Sequence, residues 1–314
     1  MEPGLSMKGV YYLLILMVIF GGLLTSCSSQ PEPEQVQDGL VILAAESFLA
    51  DIVQNVAGEQ SRVETLVPAG SDPHSFQATP QDMARIEKAD LFVINGGGLE
   101  EWLEPLMGDG FDTVIVVASE GLEPVIRKHE ELEVHGHEEG DPHFWLDPNN
   151  VKQYVRNIQA ALTSADPAGE AAYEANAAGY IKQLEELDLW IVEQTARIPK
   201  EARILVTNHE SMGYFADRYG YTVAGAVIPS VSSGATSSAA DLSALVDKIE
   251  EYGIKAIFIE TGANPDLATQ IARETGITVV DDIYTHSLTG PDGNAPTYIE
   301  MMKYNTSRIV DTLK

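Results

Sequence analysis

Residues 166–198 read DPAGEAAYEANAAGYIKQLEELDLWIVEQTARI. Asp166 before Pro167 has the form of a helix N-cap followed by proline at the first helical position, where the missing N–H is no loss. From Ala168 to Ile198 no proline intervenes. Tyr173, Ala177, Tyr180, Leu184 and Leu187 recur near a 3.6-residue period, and Trp190, Ile191 and Val192 continue it. The pattern predicts one helix over 167–198, a rod of about 45 Å at ~1.5 Å per residue. A rod of that length suits a strut lying across two lobes, and it would resist large hinge motion between them.

Outward from the rod, short β-branched runs alternate with amphipathic stretches on both sides, the pattern of parallel sheets covered by helices. Before it, strands are expected at Leu40–Ala45, Val63–Val67, Leu91–Asn95 and Thr113–Ala118, with helices at Phe48–Ala57, Pro80–Ala89 and Leu99–Met107. Thr79-Pro80-Gln81-Asp82 reads as an N-cap, a first-turn proline and an early acid. After the rod, strands are expected at Ala202–Thr207, Thr222–Val227, Ala256–Glu260 and Thr278–Asp281. Helices fit Met212–Tyr219, Ala239–Tyr252, Pro265–Glu274 and Tyr298–Leu313. The expected fold class is therefore α/β: lobes at 39–166 and 199–314, each a mostly parallel sheet flanked by helices, with a cleft between them. The repeat is one of architecture, not of residues.

After Met7 and Lys8 comes an apolar run from Val10 to Leu24, ending in Leu24-Thr25-Ser26-Cys27. This describes a secretory signal over 1–26 rather than a membrane span, which needs about 20 apolar residues. Leu-Thr-Ser-Cys resembles the lipobox of bacterial lipoproteins, so Cys27, the only cysteine, is the expected acylation site and no internal disulfide is available. Residues 27–38 carry two prolines and a single apolar residue after Cys27, as a disordered tether would. A formal charge of −29, from 48 acids and 19 bases, argues against binding to phosphate backbones and favours the approach of cations.

Four of the seven histidines fall where strands end. His74 follows the second strand through Pro68-Ala69-Gly70-Ser71-Asp72-Pro73; His209 follows Ala202–Thr207 directly; His286 lies just past the last strand; His143 sits in Asp141-Pro142-His143-Phe144-Trp145-Leu146-Asp147-Pro148 ahead of a helix. Ligands of open α/β sheets bind outside the carboxyl ends of the strands. Two histidines from each half would meet in the cleft, and four imidazoles suit a tetrahedral metal. A lone histidine is more often structural, and no close ligand pair such as His-Glu-x-x-His is present, so spacing alone does not assemble the site. His129, His135 and His137 lie in an acidic stretch without apolar period, readable as a solvated loop or as a weak, exchangeable metal collector.

Several segments carry a resemblance to the solute-binding lipoproteins of bacterial zinc and manganese ABC importers. They are residues 67–76 with 79–82, Asn95-Gly96-Gly97-Gly98-Leu99-Glu100-Glu101-Trp102, residues 141–148, Asn208-His209-Glu210, Phe258-Ile259-Glu260-Thr261 and the tail 298–305. The resemblance implies two lobes joined by a rigid helix, one metal per chain, an extracytoplasmic location on a lipid anchor, and delivery to a membrane permease. The family's first two ligands fall on His74 and His143, and its third on His209. Its fourth, usually an acid, falls on His286, a departure that leaves Asp281 or Asp282 as the alternative. With His286 the set is all imidazole, which favours zinc; manganese, which prefers oxygen, is the alternative cargo. A neutral ligand set needs nearby anions, for which Asp72, Asp141, Asp147, Glu210 and Glu260 are candidates.

A zinc hydrolase would need an open coordination position and a base, for which Glu210 is available; four imidazoles leave no such position. A metal-stabilised surface adhesin is a third class. The expectation is a monomeric, non-enzymatic metal carrier.

Overall fold

The computed structural model describes residues 39–106, 113–125 and 140–314. The leader 1–26, the tether 27–38 with Cys27, and the segment bearing His129, His135 and His137 lie outside the described residues.

Two parallel four-stranded sheets form. The first holds β1 (Val41–Ala44), β2 (Arg62–Thr65), β3 (Leu91–Ile94) and β4 (Val114–Val117) in the order β2-β1-β3-β4. The second holds β5 (Ile204–Thr207), β6 (Thr222–Ala226), β7 (Ala256–Glu260) and β8 (Thr278–Ile283) in the matching order β6-β5-β7-β8. Registers such as Ile42↔Leu91 and Ala256↔Thr278 are parallel throughout. In each sheet the chain starts at a central strand, adds a neighbour on one side, then crosses to the other. This places a topological switch point between β1 and β3 and another between β5 and β7.

The helices are α1 (Ser47–Ala57), α2 (Pro80–Ile86), α3 (Pro148–Ala165), α4 (Glu170–Thr195), α5 (Gly213–Tyr219), α6 (Ala239–Tyr252), α7 (Asp266–Thr275) and α8 (Tyr298–Leu313). Alternation along the strands sorts side chains between the two covered faces. Ile42 and Ala44 join the inner core with Ala256 and Phe258, whereas Leu43 and Ala45 face one outer cluster and Ile257 and Ile259 the other. Sheets buried on both sides read as continuous apolar runs, as Val41–Ala45 and Ala256–Ile259 do.

The inner core runs through both halves by way of α4. Its stripe of Tyr173, Ala177, Tyr180, Leu184, Leu187 and Ile191 is buried, and α4 packs against α3, α1 and α8. Burying a side chain such as Leu184 or Ile191 contributes about 1.5–3 kcal/mol as an upper bound. The opposite face leaves Leu189 and Val192 exposed. The helix is shorter than the expected rod. Asp166 accepts from the Ala168 amide and starts a 3-10 turn over Pro167–Gly169 before α4 begins, and a turn to Ile198 follows Thr195. Asp188, buried on α4, ties three helices together: it accepts from Arg218 Nε at 2.9 Å and Nη2 at 2.5 Å, from Tyr219 OH at 3.1 Å and from Asn149 Nδ2 at 3.0 Å.

The helix expected over Leu99–Met107 does not form: residues 97–103 are turns, and Glu104–Leu106 makes a single 3-10 turn. Gly96, Gly97 and Gly98 all hold positive φ, which a helix entering there could not accommodate, and Pro105 would remove a helical hydrogen bond. At α2 the expected start is observed, a capping box in which the Thr79 hydroxyl accepts from Asp82 N and Asp82 accepts from Thr79 N. Among the described residues, no helix is long and apolar enough to cross a membrane.

Candidate metal centre

Each of the four strand-end histidines is presented by a differently built segment. β2 pairing continues through Leu66 and Val67 onto β1, and the turn that follows is closed by Ser71 N–H donating to Pro68 O. Asp72 then caps the short turn Pro73–Ser75 by accepting the His74 amide at 3.0 Å. Two serines from the second half grip this loop: Ser287 Oγ accepts from Gly70 N at 2.8 Å, and Ser233 Oγ donates to Asp72 Oδ2.

His143 is fully buried ahead of the 3-10 turn Phe144–Leu146. Asp141 Oδ1 accepts its amide at 3.0 Å and stands 2.8 Å from its Nδ1. The Tyr214 hydroxyl of α5 donates to the Asp141 carbonyl at 2.9 Å, so an element of the second half holds this loop. His209 leaves β5 with its carbonyl accepting from Thr207 Oγ1 at 2.7 Å. Its Nδ1 lies 2.9 Å from Glu260 Oε1 at the end of β7, off the line of a straight hydrogen bond. His286 follows β8, with Nδ1 at 2.9 Å from Thr285 Oγ1 and 3.6 Å from Glu260 Oε2. Trp145 Nε1 donates to Thr285 O at 2.7 Å, joining the His143 turn to the His286 loop.

With their Nδ1 atoms turned outward, the rings point Nε2 inward. His143 Nε2 lies 3.2 Å from the Nε2 of His74, of His209 and of His286 alike. One ligand atom from each of the four falls within 4.8 Å of the others, and only His74 is partly exposed. An imidazole nitrogen carries one proton or one lone pair, so three such approaches to one atom cannot all be hydrogen bonds. They do fit three of the six edges of a tetrahedron about an ion, the three that meet at His143 Nε2. An edge of 3.2 Å divided by 1.63 gives a centre-to-nitrogen distance of about 2.0 Å, the zinc–imidazole distance.

The charges agree with this. Burial pushes the His143 imidazole well below its usual value, and the neighbouring His209, His286 and His74 rings push the same way, which keeps Nε2 free to bind a cation. Burial acts on His209 in that direction too, but Glu260, with Asp72 and Asp141 behind it, outweighs burial and raises the group. Burial would raise the Glu260 carboxyl; His209 and His286 beside its two oxygens hold it well below the usual carboxylate range.

Of the acids expected to serve as outer anions, Asp141 and Glu260 stand at imidazole nitrogens. Asp72 supports the His74 amide, Asp147 caps α3, and Glu210 pairs its amide with Ser230 O. Of the two acids weighed against His286, Asp281 is exposed and Asp282 is engaged by Tyr304 and Arg308 of α8. Sequence reasoning missed Tyr214, Thr285 and the Trp145 indole as parts of this assembly. No local signal marks Tyr214 or the Trp145 indole, which act on segments far away in the chain, while Thr285 acts on its neighbour His286 and joins Trp145 through its carbonyl.

Two parallel α/β lobes that close a buried polyimidazole cluster at their strand ends define a metal-binding protein of the solute-binding class. A family model described as the periplasmic zinc-uptake complex component A, ZnuA, matches residues 42–312, and the chain belongs to this family of metal-binding solute-binding proteins. It is 34% identical to the manganese-binding lipoprotein MntA of Halalkalibacterium halodurans, over 98% of this chain and 99% of that one. It is 29% identical to the manganese ABC transporter substrate-binding lipoprotein scaA of Streptococcus gordonii, again over 98% and 99%. Among solved structures it resembles the periplasmic zinc binding protein TroA from Treponema pallidum, with a TM-score of 0.77 at 26% identity over 88% of this chain and 99% of that one.

Proposed function

We propose that this protein captures one zinc ion outside the cytoplasm through His74, His143, His209 and His286 and hands it to the permease of an ABC importer. The carrying observation is the convergence of three Nε2 atoms on the fourth at 3.2 Å. Four neutral imidazoles with two carboxylates, Asp141 and Glu260, at their outer nitrogens balance a divalent charge without a carboxylate ligand. Imidazole suits zinc, whereas manganese prefers oxygen donors. A filled four-coordinate shell leaves no position for an activated water, so the reading is of a carrier rather than a hydrolase. A lipid anchor at Cys27 rests on relatives named as lipoproteins, and delivery to a permease on the one among them named as an ABC transporter substrate-binding lipoprotein. In the same reading the protein is a monomer, α4 is the strut between lobes 39–166 and 199–314, and His129, His135 and His137 collect ions for the main site.

Manganese is the second reading, favoured by the names of the relatives. Chelator-stripped protein titrated with each ion by calorimetry separates the two. The expected result is saturation at one zinc per chain, with zinc bound more tightly than manganese, as the preference of imidazole sites implies. Manganese binding tighter than zinc would overturn the assignment of cargo; no saturation with either would overturn the site.

A further inference from the structure

Two carboxyl side chains outside the imidazole cluster are buried and act on each other electrostatically. Glu46, just past β1, is 1% exposed and Glu100, in the turn after β3, is 5% exposed. Glu100 accepts the Asn95 amide at 2.6 Å on one oxygen and the Gly96 amide at 3.0 Å on the other. Two backbone N–H donors stabilise the charged form of a carboxyl, so Glu100 is the better placed of the two to be the ionised partner. Among the described residues, neither oxygen of Glu46 has a partner in straight hydrogen-bond geometry, and the group facing it is Glu100. A single proton held by Glu46 and donated to Glu100 gives one Glu46 oxygen its partner and leaves one negative charge on the pair instead of two. Tyr154 of α3 is the titratable neighbour of the pair, with Tyr214 of α5 and Tyr298 of α8 beyond it.

Burial pushes the Glu46 carboxyl well up, and the Glu100 charge adds to this. Burial also raises Glu100, but the Asn95 and Gly96 amides restrain it at about 7.

The amides that Glu100 holds lead to the metal centre. They begin the turn Gly96-Gly97-Gly98, whose φ values of 81°, 64° and 87° need glycine. Asn95, fully buried, donates Nδ2 to Pro142 O at 3.0 Å and accepts from the Tyr154 hydroxyl. Pro142 precedes His143, and a Cβ on Gly97 would meet the ring of Phe144 on its other side at 2.7 Å. We propose that Glu46 and Glu100 share one proton, neutral Glu46 donating to ionised Glu100, and that Glu100 is a positioning residue that sets His143 through Asn95 and the Pro142 carbonyl. The positioning half rests on His143 being a metal ligand; the shared proton does not.

An acid raised in the fold contributes stability fully below its usual value, 4.5 for Glu46, and loses it as pH rises toward the folded value. Glu46→Gln keeps a donor toward Glu100 without a proton to lose. Its metal-free melting temperature should therefore fall less than that of the wild type between about pH 5 and 9. Infrared spectra of the metal-free full chain in heavy water at about pH 7.5 should show a protonated-carboxyl band that Glu46→Gln abolishes, since the unperturbed glutamate value is ~4.3. Glu46→Gln should hold its zinc dissociation constant within about threefold, whereas Glu100→Gln should raise it about 10-fold or more, as loss of an orienting group does. Should Glu100→Gln fail to fold, Glu100→Asp, which keeps the charge but draws it back from the amides, is expected to give the same rise. No such band in the wild type, or a band that survives Glu46→Gln, would overturn the shared proton. Unchanged zinc affinity in the Glu100 variants would overturn the positioning role. A wild type that binds no zinc would remove the positioning half with the ligand reading, while the infrared result still decides the pair.

Discussion

Glu260→Gln tests the metal centre where one carboxylate faces two imidazoles at unequal distances. Glu260 lies 2.9 Å from His209 Nδ1 but 3.6 Å from His286 Nδ1, which instead has Thr285 Oγ1 at 2.9 Å. At 3.6 Å there is no hydrogen bond to lose. The substitution therefore removes one close partner, not two. Zinc affinity should fall by the 10–100-fold of one outer-shell change, about 1.4–2.8 kcal/mol, rather than by the square of that factor. The metal-free protein should respond to pH as well. His209 is raised, so its contribution is complete below 6.5 and lost as pH rises through its folded value; Glu260 is lowered, so its contribution is present above 4.5 and lost as pH falls through its folded value. The pair stabilises the metal-free fold most between those limits, and zinc must expel the His209 proton there. Calorimetry of zinc binding at about pH 6.5 in buffers of different ionisation enthalpy counts that proton. Glu260→Gln should bind zinc more weakly and release fewer protons. A dissociation constant moved less than about threefold, with proton release unchanged, would refute the argument that Glu260 orients and charges His209.

His286→Ala should weaken zinc by more than the ~100-fold ceiling of outer-shell changes, and His286→Asp should improve manganese relative to zinc and flatten the fall of affinity below pH 7, since a carboxylate stays ionised to about 4; titrations at several pH values check both. Replacing His129, His135 and His137 together should leave the main-site dissociation constant within about tenfold, and a ~100-fold loss would mean that a ligand has been misassigned. Asp188→Ala strands the Tyr219 hydroxyl, while Asn149 keeps Asp147 Oδ1 and Arg218, 40% exposed at its side chain, can be rehydrated; unfolding in urea should show a loss of about 2–3 kcal/mol, below the 3–5 of a fully buried pair, with zinc affinity unmoved. Gly97→Ala, at φ 64° with Phe144 Cε2 2.7 Å from the new Cβ, should cost about 1–3 kcal/mol in thermal or urea unfolding and weaken zinc through the His143 turn.

Much of the fold was legible along the chain because its signals are local. The bounds expected for α6, α8 and β7 are those observed, residue for residue, and the capped start of α2 stands where Thr79-Pro80-Gln81-Asp82 put it. Amphipathic period, caps and β-branched runs act over a few residues, so a few residues suffice to read them. Tertiary structure decided what depends on distant partners. Residues 97–106 are turns, not helix, because the glycine run closes on the His143 segment and Glu100 folds back to hold its amides. The four histidines were singled out by their places after strands, yet only the shared strand order and the inner core along α4 bring their Nε2 atoms within reach of one another. Which acid stands behind which imidazole was not readable either. Asp141 and Glu260 do so while Asp72 and Asp147 cap turns, and Glu46 meets Glu100 across two crossovers. The physical reason is range: a hydrogen bond is decided to within a few tenths of an ångström, and no period in the sequence carries that precision between segments a hundred residues apart.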